Sequence, residues 1–125
     1  METRHLTRAA VELAPDGSEI RRLLTMPRGS LAHCTLHPRA ASKAVCHRSV
    51  EEIWFVLKGY GQLWRKAGGT EHVVDLTPGL CVSIPVTAHF QFRNVGEETM
   101  EFVLCTMPPW PGPAEAVRVA DYWPG

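Results

Sequence analysis

The sequence predicts an all-β fold, either a single β-barrel or a two-layered jelly roll. Helical periodicity is nearly absent, and short runs rich in β-branched and aromatic residues follow one another along the chain. Turn signals separate these runs about every ten residues, which is the spacing typical of all-β sandwiches and barrels. The length of 125 residues is enough for one hydrophobic core and too short for two, so a single domain is expected.

The balance of charges excludes partners that are strongly charged. Thirteen basic residues balance thirteen acidic ones, so no net field attracts the chain to nucleic acid or to an anionic membrane. A small-molecule ligand fits this balance better. The sequence has no apolar run as long as a membrane span, and its first residues lack the apolar core of a signal peptide, so a cytoplasmic protein is expected.

The four cysteines are widely spaced and form no C-x-x-C pair. This pattern predicts reduced, structural thiols rather than disulfides or a metal cluster. Because Cys81 and Cys105 fall inside strand-like segments, both are expected to be inaccessible to solvent. Cys46 is expected to act as a small hydrophobic side chain.

Strand-like segments account for most of the chain. They cover residues 11–13, 20–24, 31–37, 53–57, 62–66, 72–76, 80–84, 89–94 and 100–106. Turn residues at 15–18 and 67–70 predict hairpins. The proline-rich tail from residue 107 cannot donate regularly to a sheet, so it is expected to run over the surface. There it would place Trp110 or Trp123 on a barrel edge or on a partner subunit.

The stretch 46–61 carries the candidate ligand-binding residues, because His47 and Glu52 stand directly ahead of a strand that ends in a glycine turn. Side chains alternate along a strand, so Glu52 and Trp54 are expected to share the inward face. Trp64 is expected on the facing strand of the same hairpin. An aromatic-walled cavity with a few polar groups is the usual composition of a small-molecule pocket.

This stretch resembles the first motif of the cupin superfamily, in which an H-x-H pair precedes a glutamate and, six residues later, a glycine. Glu52 and Gly59 match the pattern, and His47 stands in the place of the second histidine. Val45 stands in the place of the first.

A second stretch resembles the second cupin motif, with Gly79, Pro85 and Asn94 in the expected frame. That frame puts Phe90 where the histidine belongs, and His89 lies one residue early. The resemblance covers about residues 18–106 and implies a cupin-like β-barrel, a double-stranded β-helix or jelly roll, followed by the tail 107–125.

The resemblance implies a metal site of three imidazoles and one carboxylate, which suits iron, manganese, nickel or zinc. Here His47 and Glu52 remain, and His89 is the candidate third ligand. Two conformations of the strand that begins at His89 are open. If the preceding turn is one residue short, His89 and Gln91 line the barrel interior; in the usual frame Phe90 does, and the site is apolar.

Three functions are compatible with these features. The leading hypothesis is a small-molecule-binding cupin for a polar carbohydrate or a small organic acid, without a required cofactor. Its ligand-binding residues would be His47, Glu52, Trp54, Trp64, His89 and Gln91. The alternative is a divalent-metal-dependent enzyme of the dioxygenase or isomerase type that uses His47, Glu52 and His89. A further alternative is a regulatory or structural barrel with a vestigial site. A homodimer is expected, because exposed sheet edges need covering.

Overall fold

The computed structural model describes residues 1–7 and 11–124, which form two antiparallel β-sheets. Its strands in chain order are β1 (Glu12–Leu13), β2 (Glu19–Met26), β3 (Gly29–Leu36), β4 (Val45–His47), β5 (Glu51–Lys58), β6 (Gly61–Ala67), β7 (Thr70–Leu76), β8 (Cys81–Ile84), β9 (His89–Asn94), β10 (Met100–Met107) and β11 (Ala116–Arg118). A short 3-10 turn at Pro113–Glu115 precedes β11. Within these residues, no helix is both long and apolar enough to cross a membrane.

The two sheets face each other and exchange strands repeatedly. Sheet A has the order β1-β2-β3-β10-β5-β8, and sheet B has the order β11-β4-β9-β6-β7. From β7 to β10 the chain changes sheet at every connection, which is the connectivity of a jelly roll. The predicted all-β fold is therefore confirmed.

The core fills the space between the sheets and follows the alternation of side chains along each strand. In β5, Trp54 and Val56 are fully buried, whereas their neighbours Ile53 and Phe55 are 45% and 44% exposed on the outer face. Trp54 stacks on Phe102 from β10, with ring centroids 4.3 Å apart. Trp54 also packs edge-on against Phe90 and Phe92 of β9, so these aromatic rings join the two sheets.

The predicted hairpins at residues 15–18 and 67–70 are present, joining β1 to β2 and β6 to β7. The predicted hairpin that would put Trp64 opposite Trp54 is wrong, because β5 pairs in sheet A and β6 in sheet B. The chain crosses between the sheets at Gly59, which has a φ of +88°. A Cβ atom there would lie 2.8 Å from the Met100 Cα, so this close crossing requires glycine.

The proline-rich tail folds back on its own chain. Its strand β11 pairs with β4 at the edge of sheet B, and Trp123 lies over the guanidinium of Arg93 at 4.5 Å. Trp110 contacts the ring of His47. Trp110 and Trp123, which were predicted to lie on a barrel edge or on a partner subunit, therefore both contact their own chain.

The cysteines are all free thiols, but their burial differs from the prediction. Cys34 is the buried one, whereas Cys105 is half-buried and Cys81 is exposed. Cys81 pairs with Phe55 in register, on the outward face of sheet A. The prediction that Cys81 is buried is therefore wrong. Alternate residues of β8, an edge strand, face solvent, and Cys81 is one of them.

Candidate functional site

A cavity of about 110 Å³ lies between the sheets, at the end where β1, β2 and the tail cover the core. Its aromatic wall consists of Trp54, Phe90, Phe92, Phe102 and Trp110. Polar side chains interrupt this wall at a few points: Asp16, Ser18, His47, Glu52 and Thr106. A mostly apolar cavity with a few converging polar groups is the usual form of a small-molecule site.

Glu52 is the buried acid of the cavity. It lies on the inward face of β5, as predicted, and is 5% exposed. Its Oε1 accepts a hydrogen bond of 3.1 Å from Trp54 Nε1, and its Oε2 accepts one of 2.8 Å from Thr106 Oγ1. Burial raises the pKa of this carboxyl to about 7, against the effect of both hydrogen bonds. The side chain therefore exchanges its proton near neutral pH.

His47 lies on β4 and also lines the cavity, although it is only 5% exposed. Its Nδ1 is completely buried and has no hydrogen-bond partner among the described residues. The ring packs edge-on against Phe90 and Trp110, each with a centroid distance of 5.2 Å. Burial lowers the pKa of His47 to about 4, so the imidazole is neutral at neutral pH.

The loop between His47 and Glu52 is fixed by a residue from the tail. The buried carboxylate of Glu115 accepts hydrogen bonds from the backbone N–H of Ser49 and from the Ser49 hydroxyl, the latter at 2.7 Å. It also accepts one of 3.1 Å from the backbone N–H of Val50. Because these bonds hold the loop, they help to position His47 and Glu52 at its two ends.

Three of these polar lining residues, Asp16, Ser18 and Thr106, were not predicted from the sequence. Asp16 comes from the β1–β2 turn, where its Oδ1 accepts hydrogen bonds from Ser18 N at 2.9 Å and Ser18 Oγ at 2.6 Å. Burial raises the pKa of Asp16. Thr106 comes from β10 and is 2% exposed. The Asp-Gly-Ser sequence indicated only a turn, and a lone threonine in a strand carries no functional pattern.

Gln91 and Trp64, both predicted to line the pocket, lie instead on the outer face of sheet B. They pair in register across β9 and β6, with their side chains beneath the tail. Trp64 stacks on Tyr122 with a centroid distance of 5.2 Å and donates a hydrogen bond of 2.8 Å to Glu71. Gln91 is fully buried and bonds to the tail backbone at Tyr122 and Trp123.

The same alternation places His89 outside the cavity. Of the two open conformations of β9, the structure has the one in which Phe90 points inward, opposite Val45 of β4. The turn that precedes β9 is closed by a hydrogen bond of 3.1 Å from Ala88 N to Pro85 O, with Thr87 at a φ of 65°. This turn sets the register, so half-buried His89 shares the outer face with Gln91.

The metal hypothesis required His47, Glu52 and His89 to converge, and they do not. Phe90 and Val45 fill the positions where the cupin pattern has its other imidazoles. Among the described residues, no three His, Cys, Asp or Glu side chains are grouped so that they could hold a metal ion. The donor set that remains, one imidazole and one carboxyl, does not fit the metal centre that the resemblance implied.

The comparisons with known proteins agree with the fold. A search of curated proteins finds no match to the chain. Many solved structures match, among them a Cupin 2 conserved barrel domain protein from Salinispora arenicola CNS-205. That structure has 23% identity and a TM-score of 0.69, and the alignment covers 85% of this chain and 87% of the other.

Two larger proteins have similar folds. The capsular polysaccharide assembling protein CapF from Staphylococcus aureus aligns at 15% identity and a TM-score of 0.73, over 90% of this chain and 34% of its own. An oxalate decarboxylase from Lactobacillus farciminis, solved as a formate complex, aligns at 14% identity and a TM-score of 0.75, over 88% and 33%. The chain thus spans about a third of the length of these relatives, and identities this low establish the fold alone.

The family is established by the sequence itself. The family model described as "Cupin domain" matches residues 32–107, which is more than half of the chain. The match includes His47, Glu52 and Phe90, and it runs from β3 to the end of β10. This chain is a member of the cupin family.

Proposed function

We propose that the chain is a small-molecule-binding cupin whose ligand occupies the cavity between the sheets. The observation that carries the proposal is the state of His47, a buried imidazole that lines the cavity and bonds to no described residue. Buried polar groups without partners cost free energy, typically about 1 to 3 kcal/mol each. A ligand that bonds to the imidazole would recover part of this cost.

The size of the cavity limits the ligand. An engineered apolar cavity of about 150 Å³ binds benzene, which has six non-hydrogen atoms, so the 110 Å³ found here suits a compact group of about four or five. Exposed Glu12 and Leu13 lie at the rim, so a longer ligand can extend towards solvent there. The enclosed part of the ligand is accordingly small.

The walls select among the ligand classes expected from the sequence. A polar carbohydrate would bring many hydroxyl groups to a wall that offers mainly aromatic rings, so only a small polyol fits well. A small organic acid would meet Glu52 and Asp16 and would enter as the neutral acid rather than as the carboxylate. The preferred ligand therefore has an apolar body and one or two polar groups that reach His47, Glu52 or Thr106.

The test is a binding screen with matched variants. Small polyols, carboxylic acids, alcohols and amines are added at millimolar concentration, and binding is followed by chemical shifts of the backbone amides. Hits should shift the resonances of β4, β5 and β9, and His47→Leu should weaken their binding at least tenfold, about 1.4 kcal/mol. His89→Ala removes a histidine outside the cavity and should leave binding unchanged. A screen without hits, or hits unaffected by His47→Leu, would contradict the proposal.

The homodimer stays a prediction. The apolar side chains of β5 that face outward, including Ile53, Phe55 and Leu57, are 44% to 45% exposed in the single chain. A stable dimer would bury at least about 1,000 Å² in total. Light scattering at micromolar concentration should give twice the mass of 13.9 kDa, and a single-chain mass would contradict the prediction.

A further inference from the structure

The charged groups that line the cavity are mostly of one sign. They are Glu12, Asp16, Glu52 and Arg22. Arg22 is the only basic residue among them, and it pairs with Glu12 at the exposed rim. The interior therefore holds two carboxyl groups, and no basic side chain of the described residues faces them.

Neither of these two carboxyl groups is neutralised within the described chain. The hydrogen-bond partners of Glu52 are the indole of Trp54 and the hydroxyl of Thr106, which are uncharged donors. Asp16 accepts hydrogen bonds from the backbone N–H and the hydroxyl of Ser18, both at Oδ1, and these donors are also uncharged. Both side chains are acceptors that face an interior without a counter-charge.

The other walls favour the same kind of ligand. His47 is an unpartnered side chain more than nine-tenths buried, and as a neutral imidazole it offers one nitrogen lone pair to an N–H donor. The aromatic rings of the wall attract cations through the negative electrostatic potential of their faces. Acids, imidazole and aromatic rings all interact favourably with a positively charged donor.

We propose that the natural ligand is a small organic cation, with a protonated amine on a compact apolar body. This inference rests on the proposed function and specifies the charge of the ligand. The ammonium group would bond to Asp16 and Glu52, and the apolar body would pack against Phe90 and Phe92. An aliphatic amine has a pKa near the lysine value of about 10.4, so it carries the charge at neutral pH.

The test compares three molecules with the same isopropyl body and similar size: isobutylammonium, isobutanol and isobutyrate. Their dissociation constants are measured at pH 7.4 by titration, with amide chemical shifts as the readout. The cation is expected to bind at least tenfold more tightly than the neutral alcohol, and the anion most weakly. Equal affinity for cation and alcohol, or tighter binding of the anion, would overturn the inference.

Two variants test whether the preference for the cation arises inside the cavity. Asp16→Asn keeps an acceptor for the turn with Ser18 and removes one acid, so it should reduce the ratio of cation affinity to alcohol affinity at least fivefold. Asp75→Asn removes an exposed carboxylate outside the cavity and should change neither affinity. An unchanged preference in Asp16→Asn would count against the inference.

The outcomes separate this inference from the proposed function. Binding of the alcohol or the acid that His47→Leu abolishes, without any preference for the cation, would refute the inference and leave the small-molecule cavity in place. If none of the three molecules and no compound of the broader screen binds, both proposals are refuted.

Discussion

The two sides of sheet B differ in whether the chain itself satisfies their buried polar groups. On the outer face, the Gln91 amide uses its whole capacity: Oε1 accepts from Tyr122 N and Trp123 N, and Nε2 donates to Ser42 O and Trp123 O. On the inner side, His47 next to Phe90 has no hydrogen-bond partner among the described residues. A buried polar group that the chain itself satisfies is structural, whereas one left without a partner is available to a ligand.

The largest expected effect is a gain of metal binding when the two missing imidazole ligands are added to the inner face of sheet B. Val45 and Phe90 are directly opposite each other on β4 and β9, beside the retained His47 and Glu52. The double variant Val45→His/Phe90→His should bind nickel or zinc with a dissociation constant near 1 μM, about 8 kcal/mol, because it completes the set of three imidazoles and one carboxylate. Isothermal calorimetry on chelator-treated protein measures this affinity.

The control for this gain is the same double variant with Glu52→Gln, which should bind at least tenfold more weakly. The unmodified chain should show no stoichiometric binding under the same conditions. Submicromolar metal binding by the unmodified chain would contradict the prediction and restore the metal-dependent alternative.

The outer face is tested by Gln91→Leu. This change leaves the tail backbone at Tyr122 and Trp123 without its buried partners, and the expected loss in the free energy of unfolding is about 3 kcal/mol. Urea denaturation measures the loss. His89→Ala, on the same face but half-buried, should cost less than about 1 kcal/mol. Equal losses in the two variants would mean that the tail contacts are not what stabilises this face.

The pH dependence of stability separates the two polar groups of the inner face. The pKa of Glu52 rises from 4.5 to about 7 on folding, so its contribution is complete below pH 4.5 and is lost as the pH rises to 7. The pKa of His47 falls from 6.5 to about 4, so its contribution is present above pH 6.5 and is lost as the pH falls to 4. Between pH 4.5 and 6.5 the two effects oppose each other.

A variant that removes one of these two groups should therefore show the pH dependence of stability that the other group causes. Relative to the parent chain, Glu52→Gln should make the free energy of unfolding rise with pH by up to about 1.4 kcal/mol per unit, and His47→Leu should make it fall by a similar slope. Urea denaturation at pH 4.5, 5.5 and 6.5 measures both slopes. Profiles parallel to that of the parent chain would show that these groups do not titrate differently in the folded and unfolded states.

The smallest expected effect is a difference in reactivity between two thiols, one in the cavity and one on the outer face of sheet A. Cys34 lines the cavity, and burial raises its pKa well above the ordinary value, whereas Cys81 is exposed on the outer face of sheet A. A chromogenic disulfide should react first with Cys81 and reach Cys34 only after unfolding. Cys81→Ser should remove the fastest phase, and Cys34→Ser should retain it. The reverse pattern would be incompatible with this arrangement.

The strands and the two-residue alternation could be predicted from the sequence. Period-2 patterning put Glu52 and Trp54 on one face of β5, and the structure has both buried there. The matching motif residues Glu52 and Gly59 also predicted the cupin fold, because a carboxylate in a strand and a glycine directly after that strand are local features. Local patterning therefore determined the fold and the positions of Glu52, His47 and Trp54.

Other parts of the site depend on contacts between distant segments. Thr106 reaches Glu52 across a sequence separation of 54 residues, and Asp16 enters the cavity from a turn that the sequence marked only as a turn. No local pattern encodes such contacts, since they form only after β10 pairs with β5 and the first hairpin closes over the core. The acidic character of the cavity therefore emerged with the tertiary structure.

Alternation alone shows which residues share a face, but not which face is buried. For β9 the sequence did not decide whether Phe90 or His89 points inward. For β6 the prediction put Trp64 inside, whereas the inward residue is its neighbour Leu63. The turn before β9 and the crossing at Gly59 set these registers, and the tail covers the outer face that results. The sequence by itself determined the strands and their periodicity; the pairing of the sheets decided which side chains form the cavity, because a shift of one residue exchanges the two faces of a strand.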